Sequence, residues 1–320
     1  NTMSNATLNS TPDHKSGAKV AVVIAGWNQA EVTQKCLDSI ARQSGVCPAV
    51  ILVDNGSQPS LEQLLAFPSE TTLLRNVENR GFAGGYNPGL RYALQQGFEY
   101  ICLLNNDVVI APDCLTELVQ AVQPPHVGLV SAKIYLAAEP DIIWSVGATL
   151  DPWLLELKGN DTAKKDKWAD AKIDKDFFPF CVVLLKRAVL EEVGLLDEGF
   201  FVYYEDLDYC QRLKRTQWRC QLAPTAHAWH EVSTSSGGKN TPFARYWFAQ
   251  ASGRYFRKHG GWHLLLIVPY RLASAMKFSL KMLWQRKMRT LGAYWLGLAR
   301  GWLTGRADTP PPGWVSSPPG

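Results

Sequence analysis

Between residues 19 and 122 short apolar runs alternate with segments whose apolar residues recur at helical spacing, and that alternation leaves few folds open. "KVAVVIA" (19–25) predicts a buried strand from its β-branched content. Residues 29–42 place Val32, Cys36, Leu37 and Ile40 on one side of a helix. A second strand is expected over 50–53, a helix over 61–67 and a third strand over 72–74. "NRGFAGGYNPGLRYALQQG" (79–97) reads as a Gly-rich loop running into a helix that stops at Gly97. A strand over 100–104 and a helix over 112–122, opened by Pro112-Asp113, complete the set. Strands separated by helices imply parallel β-α-β units, hence an α/β protein with a doubly wound, mostly parallel sheet. Such sheets bind ligands at the carboxyl ends of their strands. That rule places Asp54 and Asp107, each closing an apolar strand, along one rim.

After Val127 the pattern changes. "VGLVSAKIY" and "DIIWSVGATLD" read as strands, the charged stretch 158–176 as a mobile loop, and "FFPFCVVLLKR" as a buried strand followed by a short helix. "YYEDLDYCQRLKRTQ" is helical, with Leu207, Cys210 and Leu213 facing inward. The seven Cys form no C-x-x-C pair and no His-interleaved zinc spacing, which suits reduced thiols in a cytosol-like compartment. The polar opening 1–18 and the Pro-rich tail 307–320 predict unpacked ends, the opening without a signal-peptide pattern.

Four stretches carry candidate chemistry. Asp54 begins "DNGS", a turn composition, so it is either a turn residue or a ligand contact. Asn105-Asn106-Asp107 offers an acid between a strand and solvent, suited to Mg²⁺ or Mn²⁺ when phosphates complete the shell; a polar turn explains it equally. Glu205-Asp206-Leu207-Asp208 gathers three acids at a helix start. Helix-dipole compensation accounts for one or two of them, whereas three repel and raise a pKa, as a general base requires. His227 and His230 stand on either side of Trp229 in "AHAWHE", and His230, beside a Ser/Gly-rich loop, is the better metal candidate. Gly81, Gly84, Gly85 and Gly89 match neither G-x-G-x-x-G nor a P-loop; they permit close backbone approach to a ligand or a tight turn.

Together these segments resemble the GT-A fold glycosyltransferases of family 2, most closely the bacterial rhamnosyltransferase-like branch. The matching stretches are "VVIAGWNQAEVTQKCLDSI", "VILVDNGS", "NRGFAGGYNPGL", "YICLLNNDVVIAPDCL", "LLKRAVLEEVGLLDEGFFVYYEDLDYCQRLKR" and "PTAHAWHEVSTSS", spread over about residues 19–260. The resemblance implies a mixed, mostly parallel GT-A (Rossmann-like) sheet flanked by helices, with a nucleotide-binding half (19–125) and an acceptor half (126–260). It implies an inverting sugar transfer from a nucleoside-diphosphate donor to a hydroxyl of a glycan or lipid-linked acceptor in surface polysaccharide synthesis. Asp54 would contact the nucleobase, with Ala25 and Trp27 lining its pocket. Asn79, Arg80, Gly81 and Asn87 would border nucleotide and sugar. Asn105, Asn106 and Asp107 occupy the metal-motif positions, with Asp107 and His230 on Mg²⁺ or Mn²⁺, and Asp206 with Glu205 supplies the base. Two departures stand out: Asn105 removes a charge from the metal motif, and Phe180-Cys181 replaces the small residues usual before "LLKR".

Charge divides the chain. Residues 1–231 hold 20 Lys+Arg against 28 Asp+Glu, whereas 232–307 hold 13 Lys+Arg and no acid. Projected as a single helix, 261–306 gathers most of its cations in one half of the wheel and Trp and Leu in much of the rest, an amphipathic extension suited to an anionic membrane or to packing on a domain. The expected setting is cytoplasmic, peripheral at the inner face of the cell membrane, with a dTDP- or UDP-sugar as donor. Nucleic-acid binding by the basic part leaves the acid cluster unexplained; an inactive GT-A binding module leaves Asp206 without a task.

Overall fold

The computed structural model describes residues 20–68, 70–158, 164–165, 173–231 and 240–304. The expected unpacked ends, most of the charged 158–176 stretch and the Ser/Gly-rich loop after His230 lie outside these residues. The first half runs β1 (Val20–Gly26), α1 (Ala30–Ala41), β2 (Ala49–Asn55), α2 (Leu61–Leu64), β3 (Thr72–Asn76), α3 (Gly81–Gln95), β4 (Tyr100–Asn105), β5 (Val108–Ile110) and α4 (Cys114–Ala121). There follow β6 (Val127–Leu136), β7 (Ile142–Ser145), β8 (Thr149–Leu150), β9 (Leu157–Lys158), β10 (Lys164–Lys165), β11 (Asp174–Lys175), β12 (Val182–Lys186), α5 (Arg187–Val193), α6 (Glu205–Leu213) and β13 (Arg219–His230). The chain closes with α7 (Pro242–His259), α8 (Leu264–Trp284) and α9 (Met288–Leu303).

The sheet is mixed and mostly parallel at its centre, as expected. Its order is β10-β7-β6-β12-β4-β1-β2-β3, with β4, β1, β2 and β3 parallel and β12 antiparallel to both β4 and β6. β1 is apolar throughout because both faces are covered. Val23 joins Ile51, Tyr86 and Leu90 under α3, while Val22 and Ile24 join Cys36, Ile40 and Leu115 under α1 and α4. The pairing puts Ala25 beside Asn105, and Gly26 beside Asp54, at one sheet edge. Leu207, Cys210 and Leu213 are buried, as the α6 spacing predicted.

Two features were not anticipated. β13 is a 12-residue strand running through Pro224, whose missing N–H is absorbed by a register break between Ala223 and His227. His227 and His230 therefore stand on a strand. The C-terminal region also departs from the single helix used for its projection: the chain turns at 285–287, where Arg286 has φ 54°, and α9 returns along α7. That return needs small residues, since a Cβ at Gly297 or Gly301 would lie 2.2 Å from the Tyr246 carbonyl or 2.1 Å from that of Gln250.

Candidate active site

The carboxyl ends of β1, β2 and β3 carry loops tied to one another by side chains. Asp54 is buried, and its two oxygens accept from the Ser57 N–H at 2.8 Å and the Leu61 N–H at 3.0 Å. The carboxylate thus clamps the turn that opens α2. The Asn28 N–H, just after Trp27, donates to Ser57 Oγ at 3.0 Å, and Asn28 Oδ1 accepts from the Gln58 N–H at 2.9 Å. Ala25, Trp27 and Asp54 therefore border one corner of the rim.

Asn55 organises the next loop. Its Nδ2 donates to Asn79 Oδ1 and to the Gly81 carbonyl, while its Oδ1 accepts from Asn76 Nδ2 and the Arg80 N–H. Gly81 is required here: φ is +70° and a Cβ would lie 2.1 Å from the Phe201 carbonyl oxygen. Asn87 is buried, donating to Glu198 Oε1 at 2.8 Å and to the Leu196 carbonyl. Arg80 pairs with Glu198 Oε2 at 2.7 Å. Asn79, Arg80, Gly81 and Asn87 thus form one wall, and Glu198, which sequence reasoning passed over, holds it. Glu198 lies 111 residues beyond Asn87, so only the fold reveals the pair.

Asn105 and Asn106 sit beside this wall. Asn105 Oδ1 accepts from the Tyr86 hydroxyl at 3.0 Å, and Asn106 Nδ2 donates to Thr33 Oγ1 at 3.0 Å. Asp107 and His230 meet across the β5–β13 pair, with His230 Nε2 3.2 Å from Asp107 Oδ1. The contact is an ion pair, and Oδ1 is otherwise buried without a hydrogen-bond partner. Burial opposes the His230 imidazolium, but the facing Cys181 and Asp107 outweigh it and push the group up to about 10. Asp107 Oδ1 thus faces an imidazolium, and a cation held by these two residues, with a diphosphate completing the shell, would take the place of the Nε2 proton. Among the described residues no cluster of three or more His, Cys, Asp or Glu could hold a metal without such help. His227 is not in this pair; it packs edge-on to Tyr135.

Phe180-Cys181 joins this pair to the acids of α6. Cys181 Sγ lies 4.0 Å from His230 Nδ1, the Cys181 carbonyl accepts from the Asn105 N–H at 2.9 Å, and the Phe180 backbone is near enough to Asp206 to pull its carboxyl down. Tyr203 and Tyr204 both adopt left-handed backbone, φ 72° and 66°, strain of the kind that collects at functional sites. Behind them Asp208, fully buried, is held by Arg212, Lys258 and His259, which fixes α6 on α7. Burial raises the Asp206 carboxyl to about 6 against the lowering pull of the Leu207, Asp206 and Phe180 backbone groups. Burial and then the Asp206 charge raise Glu205 well above its ordinary range, and its Oε2 has no hydrogen-bond partner. Two adjacent carboxyls with separated affinities can divide into a base and a neutral acid.

Both acids open into a cavity of about 420 Å³. Its walls include Tyr203, Tyr204, Phe177 and the 155–157 hairpin, with Phe248 and Phe256 from α7 and Arg271 from α8. Sequence reasoning missed these helical contributions, since the residues lie 42 or more positions beyond Asp206 in chain order.

A mixed, centrally parallel sheet flanked by helices, with loops at the carboxyl ends of its strands tied together by buried polar side chains, is the GT-A architecture. Residues 21–194 match the model for Glycosyl transferase family 2, and the chain belongs to that family. It is similar to the low-salt glycan biosynthesis hexosyltransferase Agl10 of Haloferax volcanii, 28% identical over 191 residues, 58% of this chain and 61% of that protein. A dTDP-rhamnosyl transferase, RfbF of Shigella flexneri, is 25% identical over 234 residues, 69% of this chain and 74% of the relative. The match spans about three fifths of Agl10, and only 22% of the Sinorhizobium fredii protein y4gI. In fold the chain resembles the mannosyltransferase PcManGT from Pyrobaculum calidifontis in complex with GDP-Man and Mn2+, with TM-score 0.53 at 19% identity, covering 93% of this chain and 90% of the other.

Proposed function

We propose that the protein is an inverting glycosyltransferase that moves a sugar from a nucleoside-diphosphate donor to an acceptor hydroxyl in surface-glycan synthesis. The observation that carries this reading is that the Phe180-Cys181 segment lies close to both the Asp107–His230 pair and the Asp206 carboxylate. Asp206 takes the acceptor hydroxyl's proton; the oxygen attacks the anomeric carbon as its bond to the diphosphate breaks on the opposite face. Glu205 stays neutral beside it, which limits repulsion when Asp206 ionises. Asp107 and His230 would hold Mg²⁺ or Mn²⁺, which supplies positive charge to the departing diphosphate.

Ala25, Trp27 and Asp54 are assigned to the nucleobase. Asp54 spends two of roughly four lone-pair sites on its turn and faces Arg75 Nε at 3.8 Å, and an imide N–H of thymine or uracil would take a remaining site. Asn79, Arg80, Gly81, Asn87, Asn105 and Asn106 border the nucleotide and sugar. The name of the RfbF relative favours dTDP-rhamnose over a UDP-sugar. The cavity beside Asp206 takes the end of a glycan or lipid-linked acceptor. The C-terminal helices rest on an anionic membrane surface; among the described residues no helix is long and apolar enough to cross one. The test is turnover of dTDP-rhamnose and a UDP-sugar panel, with and without Mn²⁺, by wild type and Asp206→Asn. Turnover by wild type alone supports the reading, and equal rates in both proteins overturn it.

A further inference from the structure

α8 turns its two sides to different surroundings. Ile267, Ala275 and Met282 are buried, and Arg271 reaches into the acceptor cavity. At about 100° per residue, Leu265, Leu272, Met276, Leu280 and Leu283 fall within about 80° of one another on another side. All five are exposed, Leu265 at 80%, Leu280 at 67% and Met276 at 63%, and Trp284 beyond them at 85%. A soluble surface seldom shows so continuous an apolar stripe without a partner.

The turn that follows is cationic. Arg286, Lys287 and Arg289 line a concavity of about 530 Å³ with Asn240, Thr241 and Thr290. Lys277 and Lys281 flank the stripe one and two turns earlier. All five cations are exposed, none forms an ion pair among the described residues, and the sequence has no acid between 232 and 307. Cations elsewhere in this region are used internally: Arg254 and Lys258 hold Asp197, and Arg271 holds Glu156. The unpaired charges are thus concentrated beside the stripe, an arrangement complementary to a surface that is apolar below and anionic above.

We propose that α8 and the 285–289 turn form a membrane-docking face on which the concavity at Arg286, Lys287 and Arg289 binds the phosphate of an anionic lipid while the leucine stripe enters the acyl boundary. The proposal deepens the membrane part of the functional reading and rests on that part alone. It also orients the enzyme. The hairpin lining the acceptor cavity carries Trp153, which meets Trp262 edge-on at 5.8 Å at the foot of α8, and both rings are exposed. Docking α8 therefore brings that border of the cavity to the lipid surface, where a lipid-linked acceptor presents its sugar.

The experiment is vesicle co-sedimentation of the full chain with phosphatidylcholine alone and with phosphatidylcholine containing phosphatidylglycerol. Wild type binds the anionic vesicles at least 10-fold more tightly. Replacing Arg286, Lys287 and Arg289 together by Gln weakens that binding about 100-fold. Met276→Ser with Leu280→Ser weakens it while leaving the charge intact. Melting with and without dTDP and Mn²⁺ accompanies each variant, so a folding failure is visible and nucleotide binding is scored separately from lipid binding. Equal binding to both vesicles, or full binding by the Gln variant, overturns the proposal. So does stabilisation by inorganic phosphate with no vesicle binding, which would make the turn a free-phosphate site. Loss of the nucleotide effect in wild type would strike the catalytic reading and leave the lipid result standing.

Discussion

The donor rim and the start of α6 are built on opposite terms. Along the rim, buried or half-buried polar groups satisfy one another: Asn55, Asn76, Asn79 and Asn87 are neutral amides, the first three with partners on more than one element and Asn87 with Leu196 and Glu198 on one distant loop. At the Asp107–His230 pair and the start of α6, Asp107 Oδ1 and Glu205 Oε2 are buried without hydrogen bonds, and Asp206 carries a raised pKa. Satisfied networks hold a shape, and carboxyls left without hydrogen bonds hold free energy for a ligand or a proton. Under the proposed function the rim serves donor shape and the acids serve chemistry.

The sharpest break of that contrast is Asp206→Asn. Turnover should fall about 10²–10⁴-fold, the usual worth of a positioned base. Stability should move the other way. A carboxyl whose folded pKa is raised favours the fold fully below its ordinary value, and that contribution is lost as pH rises through about 6. At pH 7 ionised Asp206 thus weighs against the fold, and the amide should raise the melting temperature. Wild-type activity should fall as pH drops below about 6, when the base takes up its proton. A variant that loses activity and melts lower would place Asp206 with the satisfied network instead.

Asn55→Ala tests the other side. It strips partners from the Arg80 N–H, the Gly81 carbonyl and Asn76 Nδ2 together, and should destabilise by about 3 kcal/mol. The donor KM should rise while kcat in the surviving fold changes little, read by denaturant melts and donor titrations. A fall in kcat with KM unchanged would mean that the rim acts in the chemistry.

The same contrast explains what was legible in the sequence. Strands β1, β2 and β4 were readable because apolar runs buried on both faces have no other stable placement, and α6 because Leu207, Cys210 and Leu213 keep its period. Asp54 and Asp107 were marked by an acid closing an apolar strand, Asp206 by three acids crowded at a helix start, and His230 by an imidazole beside a Ser/Gly-rich loop. Glu198 and Arg271 carry no such local mark: one acts through Asn87, the other from a helix beyond the acids. β13 was hidden by Pro224, whose local preference argues against a strand while a bulge accommodates it. The turn at 285–287 was hidden because no Gly or Pro announces it and Arg286 takes the left-handed conformation itself.

Cys181 sharpens the comparison at the cation position. Its sulfur faces His230 Nδ1, the nitrogen turned away from Asp107, and so steadies the ring without being a ligand. Cys181→Ala should weaken Mn²⁺ binding about 10–100-fold, as loss of an outer partner does. Melting in the absence of metal should barely move. Calorimetric titration of Mn²⁺ in the presence of nucleoside diphosphate measures this, and unchanged affinity would reduce the thiol to packing.

The smallest expected effect lies outside the cleft. Lys277→Gln removes one exposed cation beside the α8 stripe, and a juxtamembrane cation contributes about 1 kcal/mol on an anionic surface. Vesicle affinity should therefore drop about fivefold at low salt and less as salt screens the charge. Lys277 lines neither the rim nor the cavity, so turnover with a water-soluble acceptor should not change. If that turnover falls with vesicle binding intact, the helix acts on the cavity through its packing, and the separation between docking and chemistry fails. If both stay constant, Lys277 contributes nothing to docking, and the electrostatic share belongs to the turn at Arg286, Lys287 and Arg289.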